Sequence, residues 1–497
     1  MIGLYWLKRD FRLLDNPALT LALDNCASVT MLYAAEPSML KAADTSVFHL
    51  NAIQSAFNEL QRRLKGRKGL CYQVTSELLP LLKKLYSLKR FDFLYSHEEI
   101  GFARTYSRDR DVARWCYENN VKWIEVQQTG VFRRLKNRDK RSKLWNHFYS
   151  ETILPVPSQD LVYKLKCPKE WEAVLNTIPL NFKLEGHLPI KETKTALQLV
   201  SELNAHKMLK SFLHDRGLSY SGGISSPTTA MTAGSRMSTF LAWGSISGRY
   251  VYQKANSQKE RYRNSGLRTA PQWSRSLSSF ISRLHWRDHF IQRLESQSNM
   301  EFYALNRAYE QVEYANDENL LRSWLKGRTG FPMVDACMRC LAKTGFINFR
   351  MRALITSFAC HVLHLDWRYI KDPMARLYAD FEPGIHISQL QMQAGVVGIN
   401  TIRVYNPTKQ IIDQDPECLF IKKWISELSN FTSEEIIAHG KESLGKYPPQ
   451  LVDYKVESKK MKDQLWSIKG KIETKQLAKK VYLKHGSRKR PLSKRNI

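Results

Sequence analysis

The chain has no run of eighteen apolar residues, and the apolar start Gly-Leu-Tyr-Trp-Leu is broken at once by Lys8, Arg9 and Asp10. Neither a membrane-spanning helix nor an export signal is therefore expected, and the expected location is the cytoplasm, on the nucleoid if the source is bacterial. Cysteine is sparse, with eight in 497 residues, so a disulfide framework is excluded too. Cys337 and Cys340 form one C-x-x-C in a helical pattern, which is half of a four-ligand zinc site, and Cys360 and Cys418 add no iron–sulfur spacing. They read as small core residues, and no metal is expected. No internal repeat is present, which excludes solenoids and propellers. Acid is also in short supply: 77 Lys and Arg face 47 Asp and Glu, a net charge of +30.

What is present is a long globular chain with a basic surface. Apolar residues make up 43% and aromatics 11%, enough for two or three cores. The charge points to a polyanionic partner. Residues 451–497 hold fifteen Lys or Arg against four Asp or Glu and finish in His485-Gly-Ser-Arg-Lys-Arg490. That segment leaves most of the excess elsewhere, and 485–497 reads as a solvated basic tail.

Apolar runs at Ile2–Leu7, 28–35, 69–74, 91–96 and 122–127 alternate with helical stretches at 18–23, 46–65, 76–87 and 104–119. This predicts a doubly wound parallel sheet over 1–128, with ligand edges at loops 8–16 and 96–102. Over 129–193 the periodicity fails and Pro155, Pro157, Pro168, Pro179 and Pro189 punctuate a long connection. Its basic cluster, Arg133, Arg134, Lys136, Arg138, Lys140, Arg141 and Lys143, reads as solvated surface. From 194 to 484 the three- and four-residue spacing predicts an all-helical domain large enough to enclose a cofactor.

Four ordered motifs lie in that helical half: Gly234-Ser-Arg-Met-Ser238 before Leu-Ala-Trp-Gly, Leu284-His-Trp-Arg-Asp288, Trp324-x-x-Gly-Arg-Thr-Gly-Phe-Pro-Met-Val-Asp, and Arg403-Val-Tyr-Asn-Pro-Thr-Lys-Gln410. Small hydroxyl residues before a helix, with Arg236 beside them, suit a diphosphate. Together with the opening Trp6-Leu-Lys-Arg-Asp-Phe-Arg, these motifs resemble the photolyase/cryptochrome family, most closely a divergent bacterial branch of cyclobutane-dimer photolyases. The resemblance implies an α/β antenna domain and a helical domain holding FAD, with a folate or deazaflavin as a second chromophore left open. It places Tyr220, Gly234, Ser235, Arg236, Met237 and Ser238 at the diphosphate, and Arg287, Arg352, Asp380 and Glu382 around the rest of the flavin. Read by themselves, Arg352 and Asp380 are an ordinary salt bridge. Trp286 becomes the wall against which an extruded lesion stacks, and Arg350, Arg403 and Lys409 become phosphate contacts.

Departures from the family pattern are specific. The usual Trp-Gln-Trp run is replaced by Gly384-Ile-His-Ile-Ser-Gln-Leu-Gln-Met-Gln-Ala394. Gln391 or a neighbour thus takes the flavin-proximal place in the electron route, with Trp367 and Tyr314 as its middle and outer members. His386 or Ser388 stands nearest the usual flavin-N5 asparagine, Arg283 replaces the lesion-contacting Glu, and Phe349 replaces the lesion-contacting Asn. The expected function is light-driven lyase repair of UV-damaged DNA at cyclobutane dimers, by a monomer without membrane contact. The alternative is a cryptochrome-type blue-light receptor without repair.

Overall fold

The computed structural model describes residues 1–178, 180 and 198–487. Pro179, Pro189 and the basic run 488–490 lie outside them. Five parallel strands, β1 (Ile2–Trp6), β2 (Ser28–Ala34), β3 (Cys71–Val74), β4 (Phe93–His97) and β5 (Lys122–Val126), form one sheet in the order β3-β2-β1-β4-β5. Helices α1 (Pro17–Asn25), α2 (Val47–Lys65), α3 (Leu78–Leu88) and α4 (Ala103–Glu118) make the crossovers. Central β1 is apolar on both sides because both faces are covered, and Leu4, Tyr5 and Trp6 are buried. Tyr5 pairs in register with Met31 on one side and Tyr95 on the other. The chain order reverses between β1 and β4, so loops 8–16 and 96–102 meet at the switch point where open sheets bind ligands.

The Pro-punctuated connection is more ordered than its sequence suggests. It contains α5 (Arg141–Ser150) and a short helix at Lys169–Leu175. Trp145 and Trp171 are fully buried. The Trp145 indole donates to Asp288 at 2.9 Å and the Trp171 indole to the Leu85 carbonyl at 2.7 Å. Partners this distant in sequence impose no local period. The basic cluster also departs from a solvated surface: Arg133 grips Glu125, Arg138 reaches His289, and Arg141 is buried, while Arg134, Lys136, Lys140 and Lys143 are exposed.

The second half is helical throughout its named elements: α6 (Glu202–His214), α7 (Ser238–Ala242), α8 (Gly248–Arg263), α9 (Ala270–Ser296), α10 (Pro332–Thr344), α11 (Phe349–His361), α12 (Trp367–Leu377), α13 (Pro383–Gln393), α14 (Tyr454–Gly470) and α15 (Ile472–His485). Cys337 and Cys340 on α10 and Cys360 on α11 pack in its main core with Trp324, Met333 and Phe358. Helix α9, 27 residues long, is the spine. Helix α13 crosses it closely, since a Cβ on Gly384 would stand 2.6 Å from the Ile291 Cα.

Loop 8–16 clamps the two halves together. The Arg9 guanidinium lies 4.7 Å over the Trp243 ring and donates to the Phe381 carbonyl. Arg12 donates to the Gly244 carbonyl, Arg249 pairs with Asp15 at 2.7 Å, and Glu202 accepts the Leu13 and Leu14 amides. The C-terminal end of α15 is anchored rather than frayed: His485 is buried against Gln297 at 2.9 Å. Among the described residues no helix is long and apolar enough to cross a membrane.

Candidate functional site

The site grows from α9, α11, α13 and the segment leading into α7. Arg352, on the first turn of α11, makes two parallel hydrogen bonds to Asp380, of 3.0 and 2.9 Å. Burial works to raise the Asp380 carboxyl, but Arg352 and the Ser238 hydroxyl outweigh it and hold it below the usual carboxylate range. Such a planar fork fixes the orientation of both groups.

Arg236 sits beside this pair with a left-handed backbone, φ 58°. Its guanidinium stacks 3.7 Å from the Phe346 ring, and its polar partner is the Met231 sulfur at 3.5 Å. Burial lowers it to about 10, with Asp380 working the other way. The segment itself is held by Arg216, which donates to the carbonyls of Thr232, Gly234 and Ser235. Met237 is buried and Ser238 exposed. Tyr220 is buried against Phe212 and Phe280, and its hydroxyl meets Arg283.

The consecutive residues Trp286 and Arg287 face different neighbours. Arg287 pairs with Asp288 at 2.8 Å and reaches Glu382 at 3.8 Å, where Arg9 also approaches at 3.9 Å. Burial raises the Glu382 carboxyl in spite of these two cations. Trp286 is half-buried, set edge-on to His289 at 5.2 Å and tilted against Phe290 at 5.5 Å. Arg283, three residues earlier, is exposed.

Arg236, Ser238, Arg352 and Asp380 thus come together, as do Arg287 and Glu382. His386 instead donates through Nε2 to the Lys371 carbonyl at 2.8 Å and packs on Tyr378 and Phe381; burial lowers it to about 4, so it is neutral. Ser388 donates to the Phe290 carbonyl. Gln391 is committed elsewhere: its amide donates to the Met300 and Tyr303 carbonyls and its oxygen accepts the Leu305 amide. Trp367 is buried at the start of α12 with Arg368 4.8 Å over its ring, and Tyr314 packs on the same core, its hydroxyl without a partner among the described residues. Arg403 and Lys409 are exposed, Lys409 pairing with Asp413 at 3.2 Å, and Arg350 is half-buried beside exposed Phe349.

These groups fit a flavin dinucleotide. Among the described residues the Arg236 cation has no carboxylate in hydrogen-bonding distance, and an exposed hydroxyl stands two residues on, which is the donor set a diphosphate needs. Two clefts lie nearby. The one at the sheet's switch point is lined by Lys8, Arg9, Arg12, Glu99, Arg287 and Glu382 and holds only about 60 Å³, against about 300–1,000 Å³ for ligand pockets. Its walls are locked by ion pairs of Lys8 with Asp109 and of Arg108 with Glu36 and Glu99. The second, about 800 Å³, runs between Ser219–Gly223 and Arg268, Gln272, Arg275 and Ser276. Sequence reasoning missed this basic groove because its two cations lie outside the motifs.

Comparison with known proteins identifies the family. Residues 3–149 match the family model described as DNA photolyase, and residues 280–467 match the FAD binding domain of DNA photolyase. The deoxyribodipyrimidine photo-lyase of Alkalihalophilus pseudofirmus is 24% identical over 489 residues, covering 92% of this chain and 96% of the relative. Cryptochrome DASH of Synechocystis sp. is 24% identical over 467 residues, 87% of this chain and 89% of that one. Among solved structures, a class III photolyase from Agrobacterium tumefaciens superposes with a TM-score of 0.80 at 20% identity, over 94% of this chain and 98% of that one. The Sulfolobus tokodaii photolyase with two FAD molecules gives 0.73 at 23% identity, over 94% and 100%. The two family models lie in chain order, one on the sheet and one on the helices that carry the Arg352–Asp380 fork, and the protein belongs to the FAD-binding photolyase/cryptochrome family.

Proposed function

We propose that this protein is a light-driven DNA lyase that opens cyclobutane pyrimidine dimers. The observation that carries this reading is the placement of Trp286 and Arg287 on consecutive positions of α9. A half-buried ring able to stack on an extruded base is thereby adjacent to the cation that reaches Glu382. Reduced FAD, when bound, supplies the light-driven electron that opens the cyclobutane ring and is afterwards returned, with no net redox change. Arg236 and Ser238 would hold the diphosphate, and the Arg352–Asp380 fork would set the local charge beside the flavin ring. His289 and Phe290 keep the Trp286 ring in place. The exposed Phe349 ring gives a second apolar surface on the helix that carries Arg350. Arg403, Lys409 and the Arg268–Arg275 groove would engage phosphates without reading sequence. A second chromophore, such as the second FAD of the Sulfolobus tokodaii protein, would require Arg9 and Arg12 to leave the narrow switch-point cleft.

The test uses chemically reduced, FAD-loaded protein, blue light and an oligonucleotide with one cyclobutane dimer. Wild type should restore the thymines. Trp286→Ala should bind and repair poorly even when pre-reduced, losing about 1–3 kcal/mol of stacking per base. Arg283 and Phe349, standing where the family's lesion contacts are expected, favour the second reading of a blue-light receptor. That reading takes over if reduced wild type leaves the dimer intact.

A further inference from the structure

On the side of α9 that faces the connection and α15, three buried basic side chains carry N–H groups that have no acceptor among the described residues. Arg141, His289 and Arg293 are 7%, 5% and 4% exposed. Arg138 approaches His289 at 2.5 Å through Nη2, and buried His485 completes the group. A guanidinium can only donate, so Nδ1 of His289 is the acceptor and its proton sits on Nε2. Among the described residues that Nε2 has no partner. Neither do Nε and Nη2 of Arg141, nor Nε and Nη1 of Arg293. Nε and Nη2 of Arg141 are one edge of the guanidinium, the edge that grips two oxygens of a single anion.

Five buried N–H groups without an acceptor are costly, and two of their carriers are charged. The nearby carboxylate, Asp288, is already taken by the Gly130 amide, Trp145, Tyr149 and Arg287. Burial lowers Arg293 to about 10, and it lowers Arg141 despite the attraction of Asp288. Burial pushes His289 well down, and the charges of Arg293, Arg138, Arg141 and His485 push it further.

We propose that Arg141, His289 and Arg293 form a binding site for a small phosphate-class oxyanion, which joins the connection, α9 and α15. Two guanidinium donors and one neutral imidazole N–H match the oxygens of a tetrahedral anion. At 7% exposure or less, the site favours a free anion over a phosphate of the DNA backbone. It is separate from the Arg236 diphosphate position and does not depend on the repair reading.

The experiment follows thermal unfolding of the full-length protein in chloride buffer against added inorganic phosphate, with phosphorus NMR of the wild type as a direct readout of binding. The wild type should show a saturable rise in Tm and a broadened, shifted phosphate resonance. Arg141→Gln and Arg293→Met should lose at least tenfold in apparent affinity. In chloride alone Arg293→Met should be no less stable than wild type, because it removes an unpaired buried charge. A short undamaged duplex serves as the second arm: competition with phosphate would show that the anion comes from DNA. No saturable response by either readout in the wild type, equal responses in wild type and both variants, or equal destabilisation of Arg293→Met in both buffers would overturn the proposal.

Discussion

Arg236 is set among an aromatic face and a thioether, with its nearest opposite charge already forked to Arg352. A cation in that setting is poised for an anion brought by a ligand. Arg236→Glu should therefore cut FAD retention at least tenfold through gel filtration, read as the ratio of flavin to protein absorbance, since like charge would face the diphosphate. The electron route is a second matter of single residues. Gln391 is locked to the 300–305 loop by three hydrogen bonds and is not a hole carrier. Trp367→Phe is thus expected to slow photoreduction by less than about threefold and to leave repair by pre-reduced protein unchanged; abolished photoreduction would show that Trp367 still carries the hole. At this scale the sequence was legible where a motif fixed the partner, as for Arg352 and Asp380. It was opaque where a side chain turned to a distant backbone atom, as His386 does to Lys371. Arg141 reads as one more surface cation because its neighbours at 140 and 143 are exposed, and only the fold brings it near enough to His289 to act on its charge.

The elements followed from period and length wherever one face met a large core. Strand β1 reads as a buried parallel strand, and α9 as a long helix, because Leu277, Phe280, Leu284 and Ile291 return at helical spacing. The connection was unreadable because Trp145 and Trp171 answer to Asp288 and Leu85 rather than to near neighbours. The crossing of α9 and α13 shows what such contacts demand. With a Cβ at 2.6 Å from backbone, Gly384→Ala must push the helices apart, at a cost of about 1–3 kcal/mol for overpacking. That variant should unfold at lower denaturant and release FAD more readily, because Glu382 begins the segment that carries the glycine. Unchanged stability would mean that the two helices slide freely.

Across the whole molecule, acid sensitivity is built into buried imidazoles. Burial lowers His49, His361 and His386 to about 4 each, whereas an unfolded chain takes up those protons near pH 6.5. Between these values the unfolded state binds more protons, so stability is full above about pH 6.5 and is lost as pH falls toward 4. Three such groups give a slope of up to about 4 kcal/mol per pH unit. Denaturant midpoints at pH 7, 5.5 and 4.5 should fall steeply in that order, and His49→Phe should flatten the decline. The clamp of loop 8–16 acts over the same whole-chain distance, and it has a consequence for the newborn polypeptide. Arg9 needs the carbonyl of Phe381, which lies 372 residues later. At roughly 5–20 residues per second of synthesis, the first loop off the ribosome waits roughly 20 to 70 seconds for its partner. Through that interval the sheet can form, but its ligand edge stays open and charged, and it closes only when translation has passed α12.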